Sequence, residues 1–287
     1  MNALQPNILR HDHTFQSIRH LDSPEPDSAL PFLGRSSHPS VSVIIPALNE
    51  AKNLQYVLPR IPNWVHEVLL VDGNSIDDTV EIARSLCPNI RIVQQQQRGK
   101  GAALRAGFAA ATGEIIVMLD ADGSTDPAEI PAFVGMLLAG ADFVKGSRFL
   151  QGGGTSDMSF HRKFGNWCFV VISRLLFGGN YSDLCYGYNA FYRHILPQIN
   201  LDGNGFEIET QMNLRVLRAG FKVAEVPSFE ADRIHGVSNL RAIPDGWRVL
   251  KTIVRERLRT HPQPEQAEAT SVRQAREAYE RAVGERI

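Results

Sequence analysis

Hydrophobic positions in this chain gather into short unbroken runs, set apart by polar, turn-rich segments. The first run, Val41-Ser42-Val43-Ile44-Ile45-Pro46, is β-branched and does not alternate. A strand buried on both faces reads this way, whereas a half-exposed strand would alternate apolar with polar. Residues 67–71, 90–93, 114–119, 143–146 and 222–227 repeat the signal. Helical spacing fills gaps between them, over about 49–58, 77–83, 102–111, 161–178 and 207–219. Asp77, Asp78 and Glu81 crowd one helix start, where the positive end of the helix dipole favours acids. Strands alternating with helices predict βαβ units, hence an α/β fold with a mostly parallel central sheet flanked by helices.

The two ends read differently. Residues 1–38 mix His, Pro, Ser and Asp without a period, so a flexible arm is expected, with His11 and His13 as solvated side chains. The domain should run over 39–240, and 241–287 should hold a basic amphipathic helix and a polar tail. In that helix Trp247, Leu250, Val254 and Leu258 fall at helical spacing beside Arg248, Lys251, Arg255, Arg257 and Arg259. Such a helix suits an anionic membrane surface as well as it suits docking on the domain. Elsewhere the most apolar stretch, 168–177, is interrupted by Arg174 and falls short of the ~20 residues a span needs. Any membrane contact is therefore expected to be peripheral. Gly152-Gly153-Gly154-Thr155-Ser156 reads as a loop.

Composition narrows the function. At 287 residues and 43% hydrophobic content the chain can bury a large core. A formal net charge of -1 argues against bulk electrostatic capture of nucleic acid. Cys87, Cys168 and Cys185 are odd in number and lack Cys-x-x-Cys pairing, which reads as reduced thiols of a cytoplasmic protein without a zinc site.

The chemistry concentrates where the apolar run 114–119 meets Asp120-Ala121-Asp122-Gly123. On a strand, Asp120 and Asp122 would share one face, at the carboxyl edge where open parallel sheets bind ligands. Two hard carboxylates there suit Mg²⁺ or Mn²⁺ shared with substrate phosphates. Gly99-Lys100-Gly101 before a helix suggests a phosphate loop, but position 94 is Gln and position 101 is Gly, so the P-loop spacing fails. No Gly-x-Gly-x-x-Gly follows the first strand either. Lys100 remains a candidate to face a donor phosphate.

The order of motifs 41–50, Val71-Asp72-Gly73-Asn74-Ser75-Ile76-Asp77-Asp78-Thr79 and Asp120-Ala121-Asp122 resembles the signature of family 2 inverting glycosyltransferases. Lys145-Gly146-Ser147-Arg148-Phe149, Gly187-Tyr188-Asn189-Ala190, Phe206-Glu207-Ile208-Glu209 and Val226-Pro227 through Arg233-Ile234-His235-Gly236-Val237-Ser238 resemble its dolichol- and polyprenyl-phosphate sugar transferase branch. The resemblance spans about 41–240. It implies a GT-A type nucleotide-diphospho-sugar domain acting on a GDP-mannose or UDP-glucose type donor. Pro46, Asn49, Glu50 and Asp72 would line the nucleoside pocket, and Asp120, Ala121 and Asp122 would hold the diphosphate through Mg²⁺ or Mn²⁺. Arg233 would close on the diphosphate from a loop after Pro227. Arg148, with Arg162 and Lys163, matches positions that receive an acceptor phosphate.

Glu209 matches the acidic position that serves as general base in hydroxyl-using members. A hydroxyl acceptor needs that base, while a phosphate acceptor is already anionic and needs cations. The resemblance thus implies transfer to a polyprenyl phosphate at the inner face of a membrane, with a soluble or saccharide hydroxyl as the alternative acceptor. A sugar-phosphate nucleotidyltransferase would need a Gly-rich basic loop after 41–46, which is missing. An inactive nucleotide-sugar binding module is the remaining alternative. The chain departs from the family pattern at Gly73, commonly Asp, at Ser124, often Gln, at Asn189, frequently Arg, and at Asn239, frequently Lys.

Overall fold

The computed structural model describes residues 39–156, 158–236 and 241–259. The arm over 1–38, the tail from 260 and Asn239 lie outside the described residues. Nine strands are present among them: β1 (Val41–Ala47), β2 (Glu67–Asp72), β3 (Arg91–Gln94), β4 (Ile115–Met118), β5 (Phe143–Ser147), β6 (Gly154–Thr155), β7 (Asn189–Tyr192), β8 (Val223–Pro227) and β9 (Phe229–Glu230). The helices are α1 (Ala51–Val57), α2 (Thr79–Leu86), α3 (Lys100–Ala110), α4 (Ile130–Leu138), α5 (Phe160–Phe177), α6 (Leu196–Ile199), α7 (Glu207–Arg218) and α8 (Ala242–Leu258). Seven strands form the main sheet in the order β3-β2-β1-β4-β7-β5-β8, and β6 pairs with β9 apart from it.

The continuous apolar runs become the buried strands. Val43, Ile44 and Ile45 are all fully buried because the sheet is covered on both sides. Ile45, Leu54, Phe133 and Tyr188 belong to the core on one face, and Ile44, Leu104, Phe108 and Phe191 to the core on the other. α3 approaches β1 closely: a side chain at Gly107 would lie 2.5 Å from Ile44 Cγ2, so glycine is what permits the contact.

Five elements were not in the sequence reading, β6, β7, β9, α4 and α6, and β6 falls inside the segment 152–156 that reads as a loop, where it pairs with β9. β7 is antiparallel to both β4 and β5 and separates them. Its four residues are too short to register as a run, and Asn189 breaks the apolar signal although it is buried. α4 was also not evident, since Pro131 and Gly135 interrupt its helical propensity. Pro131 is tolerated because it stands in the first turn, where no intrahelical N–H bond is lost.

The basic helix α8 packs on α7 and α5. Val249 and Ile253 join Val170, Leu184 and Leu214 in a third core. Arg215 on α7 reaches Glu256 at 2.7 Å, with both side chains buried. No helix among the described residues is long and apolar enough to cross a membrane.

Candidate active site

β1, β2 and β4 run parallel, so their carboxyl ends open onto one edge. Asn49 takes a left-handed backbone, φ 59°, which delays the helix to Ala51. Its side chain explains the conformation: Oδ1 accepts from Ile76 N at 2.8 Å, while its own N–H donates to Ser75 Oγ at 2.9 Å. Glu50 is turned inward at 7% exposure, and its N–H donates to Thr79 Oγ1 at 2.9 Å. Asp72 accepts from Ser75 N at 3.2 Å and from Gln94 Nε2 at 3.0 Å. A side chain at Gly73 would sit 3.2 Å from both Ala47 O and Gln95 Oε1, a tight fit for the acid the family commonly carries. Pro46 stays half-buried in β1.

β4 stops at Met118, so Asp120 and Asp122 lie on the turn beyond it. Their placement therefore comes from the turn and not from strand alternation, a correction to the sequence argument. Ala121 is buried and anchors the turn. Asp122 Oδ1 accepts from Ser124 N at 3.0 Å and from Ser124 Oγ at 2.6 Å. Ser124, where the branch often has Gln, thus fixes the aspartate's rotamer.

Lys100 faces carboxylates. Its Nζ lies 2.6 Å from Asp120 Oδ1 and 2.7 Å from Glu209 Oε1. Burial works against the ammonium, but the two carboxylates outweigh burial and hold Lys100 protonated well above the ordinary lysine range. The flanking glycines serve packing. A side chain at Gly99 would fall 2.2 Å from Asn204 O, and one at Gly101 would fall 2.5 Å from Gly203 O. The amides of Gly101 and Ala102 donate to Asn204 O, so the start of α3 is tied to protein. Gly187 passes close by: a side chain there would meet Glu209 Oε1 at 2.8 Å and Lys100 Nζ at 2.9 Å.

The segment after β9 folds over this edge. Arg233 Nη2 lies 3.0 Å from Asp122 Oδ2, and Nη1 lies 2.8 Å from Glu50 Oε1. Ile234 N donates to Asp122 O, and Ala231 N to Ser124 O. Asn53, which the sequence reading missed, donates to His235 O at 3.1 Å and accepts from His235 N at 3.0 Å. A polar cleft of about 460 Å³ bordered by Asn49, Glu50, Asn53, Asp77, Arg233 and His235 lies here, within the usual size range for small-ligand sites.

Arg148 stands apart from its expected role as an open phosphate contact. Its Nε and Nη2 donate to Asp183 at 2.6 and 2.9 Å, and Nη1 donates to Glu230 Oε2 at 3.0 Å. Asp183 is itself fully buried, so the guanidinium is held inside the fold. Arg162 is half-buried and Lys163 exposed, both in the first turn of α5. Lys145, read only as part of a motif, donates to Tyr186 O at 2.6 Å from a position directly opposite Asn189. Burial pushes it below the ordinary lysine range, and it supplies a basic group beside the position where the family frequently has Arg. Asp183 and Lys145 escaped notice because nothing local in the sequence announces a buried pairing between residues 35 or 41 positions apart.

Among the described residues no three or more His, Cys, Asp or Glu side chains form a self-contained metal cage. Asp120 and Asp122 offer two hard carboxylates, the donor set that Mg²⁺ and Mn²⁺ take when phosphates and water complete the shell. Lys100 and Arg233 provide the countercharge from the chain itself. The residues present thus fit a divalent ion.

The family model described as "Glycosyl transferase family 2" matches residues 42–199, more than half of the chain. The polyprenol monophosphomannose synthase of Mycolicibacterium smegmatis is 32% identical over 69% of this chain and 80% of its own length. The undecaprenyl-phosphate mannosyltransferase of Micrococcus luteus is 32% identical over 70% of this chain and 87% of its own length. Among solved structures, the glucosyl-3-phosphoglycerate synthase of Mycobacterium tuberculosis in complex with UDP superposes with a TM-score of 0.61 at 23% identity, covering 78% of this chain and 82% of that one. That likeness agrees with the GT-A fold. The matched region carries Asp120 and Asp122, Lys100 and the strands that lead to them, and on this ground the chain belongs to glycosyl transferase family 2.

Proposed function

We propose that this protein moves a hexose, mannose in the first instance, from a nucleotide-diphospho-sugar of the GDP-mannose or UDP-glucose type to a polyprenyl phosphate at the cytoplasmic face of a membrane, with inversion. The relatives' names support the sugar and the acceptor. The observation that carries the reading is the pairing of Arg233 with Asp122 and of Lys100 with Asp120 at one sheet edge.

The nucleoside would lie in the cleft bordered by Asn49, Glu50 and Asp77, with Asp72 on the strand that leads to it. Asp120 and Asp122 would hold Mg²⁺ or Mn²⁺, which when bound screens the diphosphate and stabilises charge on the leaving phosphate. Arg233 would leave Glu50 for the diphosphate, adding a guanidinium where negative charge grows as the sugar departs. The backbone bonds of Ala231 and Ile234 to the aspartate turn keep the arginine within reach of that position. Arg162 and Lys163 would meet the acceptor phosphate. Arg148 would act indirectly, by fixing Glu230 at the base of the Arg233 segment.

Glu209 bears on the choice of acceptor. Its carboxylate is engaged by the Lys100 ammonium, the situation of an anchor for Lys100 and not of a free base. A phosphate acceptor requires no proton removal, so this arrangement favours it over a hydroxyl. The deciding experiment supplies labelled GDP-mannose and UDP-glucose with Mg²⁺ or Mn²⁺ and polyprenyl phosphate in detergent. Label should pass into the organic phase in a metal-dependent manner. Consumption of donor with saccharide hydroxyls but never with the lipid phosphate would overturn the reading.

A further inference from the structure

Helices α5 and α8 pack together through the third core, and their outward sides share a chemical character. Both carboxylates of α8 are drawn inward. Asp245 accepts from the Arg241 amide at 2.7 Å, and Glu256 is fully buried against Arg215 and Gln211. What α8 exposes is apolar or cationic: Trp247 is 57% and Leu258 76% exposed, with Lys251 and Arg257 between and beside them, while Arg248 is paired with Asp245 at 2.7 Å. Lys251 Nζ rests 5.5 Å from the centre of the Trp247 ring. α5 contains no Asp or Glu anywhere in its length. Phe160, Phe164 and Trp167, spaced to share one helix face, are 78%, 57% and 59% exposed.

We propose that the joint outward face of α5 and α8 is a docking surface for an anionic lipid bilayer, with the aromatic rings at the headgroup level and the cations over acidic headgroups. Exposed Trp and Phe flanked by Lys and Arg, on helices that do not span, are the composition of an element lying in the interface plane. Charge argues against a second copy of the chain as the occupant. A two-fold contact would set this face against itself, placing cation against cation with no carboxylate on either helix surface to offset the repulsion. For its purpose the inference rests on the polyprenyl-phosphate reading, which it deepens. α5 begins with Arg162 and Lys163 in its first turn, and α8 starts a few residues after the Arg233 segment. A docked bilayer would therefore lie beside the groups assigned to the acceptor phosphate and next to the segment that closes on the donor.

The full chain should co-sediment with phosphatidylcholine vesicles containing phosphatidylglycerol and not with phosphatidylcholine alone, and raised salt should release it. Trp167→Ala combined with Trp247→Ala should weaken binding about tenfold or more, from the apolar area lost. Lys251→Glu and Arg257→Glu should each weaken it at least roughly fivefold. All these side chains are exposed, so melting temperature should hold, and transfer to polyprenyl phosphate presented in detergent should stay at the parent rate. Absence of vesicle binding at low salt, binding equal on neutral vesicles, or binding unmoved by the four substitutions would each overturn the proposal. So would a dimer in sedimentation velocity that the same substitutions dissociate, which would give the face to a second copy. Vesicle binding without any transfer to the detergent-borne acceptor would instead overturn the acceptor assignment and leave the surface standing.

Discussion

Lys100 Nζ lies 2.7 Å from Glu209 Oε1, joining the first turn of α3 to the first turn of α7. With Asp120 on its other side, the ammonium holds two carboxylates that would otherwise repel each other in a confined space. Because the fold holds Lys100 above its ordinary value of 10.5, this contribution to stability is complete at every pH below that value. It fades as the solution is made alkaline from about 10.5 up through the higher folded-state value.

If Glu209 serves mainly to anchor Lys100, Glu209→Gln should lower the transfer rate to a polyprenyl phosphate by less than about tenfold, because no proton has to leave the acceptor. Steady-state kinetics with lipid acceptor decides the matter. A loss on the order of 10² to 10⁴ would assign Glu209 the role of general base and point to a hydroxyl acceptor.

Asp122→Ala removes a carboxylate on an edge turn and the partner of Arg233. Turnover should fall at least ~10²-fold at all Mn²⁺ concentrations, while thermal unfolding shifts by only a few degrees. Metal-dependent activity retained in this variant would remove Asp122 from the assigned site.

Arg233→Ala should reduce kcat by roughly 10² or more and leave donor KM within a few-fold, as befits a contact that strengthens while the leaving phosphate gains charge. Arg233→Lys should recover little, since lysine cannot reproduce the planar two-point contact. A raised KM with unchanged kcat would make it a ground-state binding residue.

For Arg148 the expected effect is on stability. Arg148→Met leaves the fully buried Asp183 without its bidentate partner, and breaking a buried pair from one side costs about 3–5 kcal/mol. Urea denaturation should show that loss, and adding Asp183→Asn should restore part of it. A variant of parental stability with impaired acceptor KM would return Arg148 to the acceptor phosphate.

Acid stability should trace to Glu67, far from the catalytic edge in the strand direction. Burial would raise its pKa, but Ser42 Oγ at 2.6 Å, the Thr112 N–H at 2.6 Å and Arg91 outweigh burial and hold it down to about 2 from an ordinary 4.5. A carboxylate held low stabilises the fold above its unfolded value and loses that effect as pH falls from about 4.5 towards 2. The amount is on the order of 2 kcal/mol after allowance for solvent screening. Glu67→Gln should flatten the acid limb of the unfolding curve without altering transfer at neutral pH, as measured by thermal unfolding across the acid range.

Most of the strands buried on both faces were legible because they are short, largely apolar runs without alternation, and Asp120 and Asp122 were legible because they follow one. Which cation meets which anion was not. Lys100 and Arg148 both looked like phosphate ligands, and both turn to carboxylates supplied from far along the chain, Glu209, Asp183 and Glu230. Local spacing carries no trace of such pairings. Nor could the spacing in α8 decide between the domain and an outside surface. The structure packs one side of it on the domain through Val249 and Ile253 and leaves Trp247 and Leu258 exposed on the other.

The strand β7 enters the sheet late in the chain yet sits between β4 and β5, and this sets an order on biogenesis. Until residues 189–192 have left the ribosome, β4 and β5 each present an open edge lined with unpaired amides and carbonyls, the condition that invites pairing with other chains. Among the described residues, no other strand pairing joins the two halves of this sheet. A nascent chain ending before β7 is thus one four-stranded sheet and an unpaired β5, whose other partner β8 is also still to come, and its folding waits on contacts of long sequence range, which slow it. Fragments ending near residue 180 should accumulate in the insoluble fraction, and protection from proteolysis should arise only once β7 and β8 are both included.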